Sequence, residues 1–121
     1  MKQPVRVLIV DDQPSARLGL RALLAFFPEI EIIGEGKDGQ QAIQAASQLQ
    51  PDVVLMDVQM PLMDGIEATR QIKLSHPKIK VIILTIYRTS HIAAIEAGAD
   101  DFLLKGGGVE ELQSAILRVA A

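Results

Sequence analysis

Apolar residues fall along this chain in two rhythms. Short unbroken runs such as Val7-Leu8-Ile9-Val10 and Val81-Ile82-Ile83-Leu84 suit parallel strands covered on both faces, because a strand with one wet face alternates apolar and polar positions. Five strands are predicted on this basis, over residues 5–10, 31–34, 53–56, 80–84 and 101–104. The stretches between them repeat at helical spacing: Leu20, Leu23, Leu24 and Phe27; then Ala42, Ile43, Ala46 and Leu49; then Ile66, Thr69, Ile72 and Lys73. An alanine-rich helix is expected over 92–98. A last one over 109–120 carries Leu112, Ala115, Ile116 and Val119 on one stripe.

Local signals mark where these helices begin. Pro14 suits a first helical turn, and Asp38 with Gln41 and Asp64 with Glu67 have the separation of capping boxes. Residues 34–39 read as a turn-rich loop, and Gly106-Gly107-Gly108 as a flexible link between the last strand and the last helix. Strict alternation of strand and helix predicts an α/β fold: a doubly wound (βα)₅ unit with a five-stranded parallel sheet of order 2-1-3-4-5 and helices on both faces.

Composition narrows the class. A length of 121 residues with 49% hydrophobic content is enough for one domain over 1–121 with its own core. Cysteine is absent, which removes disulfides, thiolate nucleophiles and Cys-based zinc sites and points to a reducing, cytoplasmic setting. A net charge of −3 lacks the basic footprint of a nucleic-acid binder. No apolar run approaches the roughly 20 residues of a membrane span and no secretory signal is seen, so a soluble protein is expected.

Parallel strands joined by right-handed crossovers point the same way and gather their carboxyl ends along one rim. Just beyond those ends stand Asp11 and Asp12 after the first strand, Asp57 after the third, Thr85 after the fourth and Lys105 after the fifth, while the second ends at Gly34 with no reactive group. Two carboxylates about 4 Å apart repel by about 4 kcal/mol at an effective dielectric near 20, so the acids call for a cation. An all-oxygen set suits Mg²⁺. Asp57 could then act as a nucleophile toward a phosphoryl group, with Lys105 pairing to a phosphoryl oxygen. Singly, each residue has an ordinary reading as a turn acid, a strand threonine or a surface lysine. Their coincidence at four strand ends favours the functional one. His76 and His91 lack metal-ligand spacing and are read as surface residues, and Met56, Met60 and Met63 as packing.

Over essentially its whole length the chain resembles the receiver domain of response regulators, a flavodoxin-like family. The matching motifs are Val7-Leu8-Ile9-Val10-Asp11-Asp12, Pro51-Asp52-Val53-Val54-Leu55-Met56-Asp57, Met60-Pro61 with Met63-Asp64-Gly65, and Glu96-Ala97-Gly98-Ala99-Asp100 before Leu103-Leu104-Lys105. Residues 65–70 look particularly like the branch with a C-terminal helix-turn-helix output domain, which is not expected within residues 1–121.

The resemblance implies that Asp57 accepts a phosphoryl group from a sensor histidine kinase. It implies that Asp12, Asp57 and the backbone carbonyl of Gln59 bind Mg²⁺ directly, and that Asp11 acts largely through water. Thr85 and Lys105 would contact the phosphoryl group, and Phe102, three residues before Lys105, would be the aromatic that turns inward on switching. It further implies self-phosphorylation and self-dephosphorylation rather than turnover of an outside substrate, with homodimers through the helix 4/strand 5/helix 5 face or the helix 1/helix 5 face. DNA would be reached only through an output domain. Two departures from the family pattern stand out. The segment from Thr85 to Lys105 is about two residues short, predicting a short or displaced fourth helix, and Gly106 stands where a proline often follows the lysine. Ile86 is also bulkier than the small residue common after the threonine.

Three other functions are weaker. A small aspartyl-phosphate phosphatase would want Asp-x-Asp after one strand and a cap domain. An FMN carrier would want Gly, Ser and Thr where Asp11 and Asp12 stand. A phosphorylation-independent interaction module of the same fold would leave the acid cluster without a purpose.

Overall fold

The computed structural model describes residues 3–121. Strands β1 (Val5–Val10), β2 (Ile30–Gly36), β3 (Val53–Met56), β4 (Lys80–Thr85) and β5 (Asp101–Leu104) alternate with helices α1 (Pro14–Leu24), α2 (Gly39–Leu49), α3 (Gly65–Ser75), α4 (His91–Glu96) and α5 (Val109–Ala120). All pairings are parallel and the strand order is β2-β1-β3-β4-β5. The fold is the expected doubly wound, flavodoxin-like sheet. Among the described residues, no helix is long and apolar enough to cross a membrane.

Strand side chains alternate between faces, so each apolar run feeds two cores. Leu8, Val10, Val54, Met56, Val81 and Ile83 pack with Ala42 and Ala46 of α2, Ala68 and Ile72 of α3, and Ala94 of α4. Val7, Ile9, Val53, Leu55 and Ile82 pack on the opposite face with Leu24 of α1 and with Leu112, Ala115 and Ile116 of α5. At about 1.5–3 kcal/mol for each large side chain fully buried, these layers supply most of the driving force.

Four local expectations need correcting. Strand β2 runs from Ile30 to Gly36 rather than over 31–34, because it pairs with β1 as far as Val10↔Gly36, with an irregularity in register near Val7/Leu8. Glu35 therefore stands at the rim, where a strand end without chemistry was expected. Phe27 lies beyond the end of α1 at Leu24, yet still packs on the α1–α5 core. Thr85 is the last residue of β4 rather than the first after it.

The two capping boxes are each half made. Asp38 accepts from the Gln41 N–H at 2.8 Å and Asp64 from the Glu67 N–H at 2.9 Å, caps worth about 1 kcal/mol each. Gln41 returns to the Lys37 N–H instead of Asp38, and Glu67 turns to Arg70 and Gln71. The fourth helix is short, as the missing residues predict: six residues, His91–Glu96, preceded by a single 3₁₀ turn at Arg88–Ser90.

Candidate functional site

The rim brings together the residues singled out from the sequence. One carboxylate oxygen from each of Asp11, Asp12 and Asp57 lies within 4.8 Å of the others. The backbone brings them together directly: Asp57 N–H donates to the Val10 carbonyl at 3.0 Å, and Asp11 N–H to the Gly36 carbonyl at 3.0 Å. The parallel ladder thus extends one residue past the strand ends and sets both acids side by side.

Asp11, Asp57, Thr85 and Lys105 are each tied down by hydrogen bonds or ion pairs. Asp11 is buried; its Oδ1 accepts from the Gln13 N–H at 2.9 Å and its Oδ2 from Lys105 Nζ at 2.6 Å. Lys105 Nζ also lies 3.4 Å from Asp57 Oδ2, while Asp57 Oδ1 accepts from the Val58 N–H at 2.8 Å. Lys105 is thus closer to Asp11 than to the proposed acceptor. Its own backbone N–H donates to the Thr85 carbonyl at 2.8 Å, carrying the β4–β5 ladder to the rim. Thr85 is buried and its Oγ1 accepts from the Tyr87 N–H at 3.2 Å, leaving the hydroxyl hydrogen available to another acceptor.

The loop after Asp57 depends on a glycine. Gly65 N–H donates to the Val58 carbonyl at 2.8 Å, and a Cβ at Gly65 would lie 1.7 Å from the Asp57 carbonyl oxygen. Only glycine permits that approach. Thr69, fully buried, donates its hydroxyl to the Gly65 carbonyl at 2.7 Å and ties the loop to the first turn of α3. Leu62 takes a left-handed conformation, φ 69°. Gln59 lies on the same loop, exposed, two residues beyond Asp57.

Electrostatics reflect the crowding. Burial, and then the charge of Asp11, push the Asp57 carboxyl above its ordinary value, with Lys105 opposing. Burial works against the Lys105 ammonium, but hydrogen bonding to Asp11 and the charges of Asp57 and Asp11 outweigh it and raise its pKa. Three carboxylates face one ammonium, so negative charge is in excess. The donors are all oxygen, with no imidazole or thiolate, a set that matches a hard cation such as Mg²⁺.

Phe102 is partly buried against the core on the α4 side, and its ring centroid lies 5.0 Å from that of His91 at an interplanar angle of 54°. His91, read from sequence as a surface residue without a role, is exposed but stands against this aromatic. Sequence reasoning also missed Arg17 and Glu35. Arg17 Nη1 donates to the Asp11 carbonyl at 2.6 Å and its Nε to Glu35 Oε1 at 2.8 Å, while Arg21 takes the other oxygen of Glu35. Hydrogen bonding from Arg21, and secondarily from Arg17, holds the Glu35 carboxyl below its ordinary range against the effect of burial. The i,i+4 spacing of Arg17 and Arg21 placed both on one face of α1, but nothing local named their partner.

The sheet order and the acid cluster define a receiver domain, and the chain belongs to that family: the model of the response regulator receiver domain matches residues 7–117. It is 47% identical over 114 residues to the transcriptional regulatory protein LiaR of Bacillus subtilis, covering 93% of this chain and 54% of LiaR. It is 41% identical over 115 residues to the response regulator protein VraR of Staphylococcus saprophyticus, covering 93% of this chain and 55% of VraR. The chain spans about half the length of these curated relatives. Among solved structures, a LuxR-family two-component response regulator from Aurantimonas superposes with a TM-score of 0.92 at 32% identity, covering 98% of this chain and 86% of that one.

Proposed function

We propose that this domain is a phosphorylation switch. Working in the cytoplasm, it takes a phosphoryl group from a phosphohistidine of a sensor histidine kinase onto Asp57, and relays the change to a transcriptional output domain elsewhere in a longer protein. The observation that carries this reading is the meeting of Asp11, Asp12 and Asp57 within 4.8 Å with Lys105 reaching two of them. The output half of the proposal draws on likeness to LiaR, whose name is that of a transcriptional regulator.

Asp11, Asp12 and Asp57, with the Gln59 backbone carbonyl, would hold Mg²⁺. When bound, the ion draws off charge from the transferred group. Asp57 supplies the nucleophile: a carboxylate oxygen forms a bond to phosphorus, the phosphorus–nitrogen bond of the phosphohistidine breaks, and the electron pair returns to the imidazole. The product is an acyl phosphate on Asp57.

The other groups of the rim position and read that product. The Val58 amide fixes the carboxylate by one oxygen. Lys105 has only to shift from Asp11 to reach a phosphoryl oxygen, a charge-assisted contact. Thr85, with Oγ1 accepting from the Tyr87 amide, offers its hydroxyl hydrogen to another phosphoryl oxygen. Its movement toward the phosphate vacates space on the β4–β5 side into which Phe102 turns. The added charge of about −1.5 to −2 biases the domain between two packings. Residues exposed on this side, including Ile86 at 66% and Ile92 at 72%, lie where a partner or second copy would sense the change.

The test is incubation with Mg²⁺ and acetyl phosphate, followed by intact mass measurement, with Asp57→Asn alongside. Addition of one phosphoryl group to the wild type only, abolished by chelation, is the expected result. An unmodified wild type under these conditions would leave the phosphorylation-independent interaction module as the better account.

A further inference from the structure

Arg17 reaches back from α1 to the peptide that joins Asp11 and Asp12. Its side chain is only 17% exposed, unlike an ordinary surface arginine. Nη1 donates to the Asp11 carbonyl at 2.6 Å, and that carbonyl belongs to the peptide between two of the three residues of the acid cluster. On the other side of Asp11, its N–H donates to the Gly36 carbonyl at 3.0 Å. The backbone is thus held from β2 and from α1 at once.

The guanidinium is itself anchored. Nε donates to Glu35 Oε1 at 2.8 Å, and Arg21 from the next turn of α1 occupies the other oxygen. Glu35 thus takes one arginine on each oxygen, and a planar fork already anchored through Nε has less freedom left to lose when Nη1 binds the Asp11 carbonyl.

We propose that Arg17 is a positioning residue for the divalent-cation site, with Glu35 and Arg21 as the strut that holds it. Asp11 is pinned through both carboxylate oxygens, by the Gln13 amide and by Lys105. Asp12 is partly exposed, and the orientation of its backbone is what aims it into the cluster. Rotation of the Asp11–Asp12 peptide would swing the Asp12 carboxylate away, and the Arg17 hydrogen bond opposes that rotation. Groups that orient metal ligands from behind change metal affinity about 10–100-fold when removed. The inference rests on the reading that the acid cluster takes Mg²⁺.

Isothermal titration of the 121-residue chain with MgCl₂ tests it, comparing wild type, Arg17→Met, Arg17→Lys and Arg118→Met. Methionine keeps much of the apolar stem. Arg118, which bridges α5 to Asp101 at 2.6 Å, serves as an ion pair between elements away from the cluster. Arg17→Met is expected to weaken Mg²⁺ binding roughly tenfold, Arg17→Lys less, and Arg118→Met not at all. Phosphorylation of Arg17→Met by acetyl phosphate should approach the wild-type rate once Mg²⁺ saturates, so the loss lies in the Mg²⁺ concentration required.

Wild-type affinity in Arg17→Met, or equal weakening in Arg118→Met, overturns the assignment. A wild type that takes up no Mg²⁺ overturns the proposed function and this inference with it. Should Arg17→Met not fold, Glu35→Gln, which removes the charge anchoring Arg17, carries the same expectation at smaller size.

Discussion

Lys105 and Asp11 stand 94 residues apart in the chain, and their charged atoms meet at 2.6 Å. The same ammonium lies 3.4 Å from Asp57. One cation therefore serves two acids, and lies closer to the one that is not the proposed acceptor. The ammonium thus already stands within ion-pair distance of both carboxylates.

Lys105→Met should separate the two roles. The acids proposed to hold Mg²⁺ remain, so titration calorimetry should still detect the ion. Transfer from acetyl phosphate should slow roughly 100-fold, the loss typical when one preorganised donor to a developing negative charge is removed. Loss of Mg²⁺ binding with an unchanged transfer rate would reverse the assignment.

Asp57→Asn should stabilise the fold in Mg²⁺-free buffer. Burial and Asp11 raise the folded-state pKa of Asp57 above the ordinary carboxylate value. A carboxyl shifted this way favours folding most below its unfolded pKa, and that contribution is lost as pH rises through the folded value. The variant and wild type should therefore melt together in acid, and the variant at the higher temperature near neutrality. Mg²⁺ should narrow the gap by stabilising the wild type. Thermal melts across pH, with and without Mg²⁺, provide the check; a gap that widens toward acid would contradict it.

Gly65→Ala should damage stability and site together. The added carbon would meet the Asp57 carbonyl oxygen at 1.7 Å, and backbone on both sides must move. A loss of about 3 kcal/mol in urea denaturation is expected, with slowed phosphorylation of the fraction that folds. Ala at Gly108, where nothing lies within 4 Å of the added carbon, is the control and should cost far less.

Tyr87 offers a direct view of switching. It is the sole tyrosine, and the chain has no tryptophan, so ultraviolet fluorescence reports on the residue whose amide binds Thr85 Oγ1. Beryllofluoride with Mg²⁺ should change this emission. Thr85→Ala should abolish the change while Asp57 remains phosphorylatable, and Thr85→Ser should retain it. An undiminished response in Thr85→Ala would detach the threonine from the switch.

Much of this protein is written locally. Helix α5 and strand β3 begin and end where their patterns place them, because an amphipathic stripe and an unbroken apolar run each specify what must be buried. The order of the sheet and the candidate residues Asp11, Asp12, Asp57, Thr85 and Lys105 follow from strand alternation and from what stands at each strand end. Tertiary structure alone decided who pairs with whom. β2 extends to Gly36 because β1 offers partners that far, and a strand's length depends on its neighbour as much as on its own residues. Arg17 chose the Asp11 carbonyl and Glu35, and Lys105 chose Asp11 over Asp57, because a long charged side chain carries no record of its partner until the chain closes around it. Periodicity is a property of consecutive residues, whereas a hydrogen bond between distant ones exists only after folding has set the geometry.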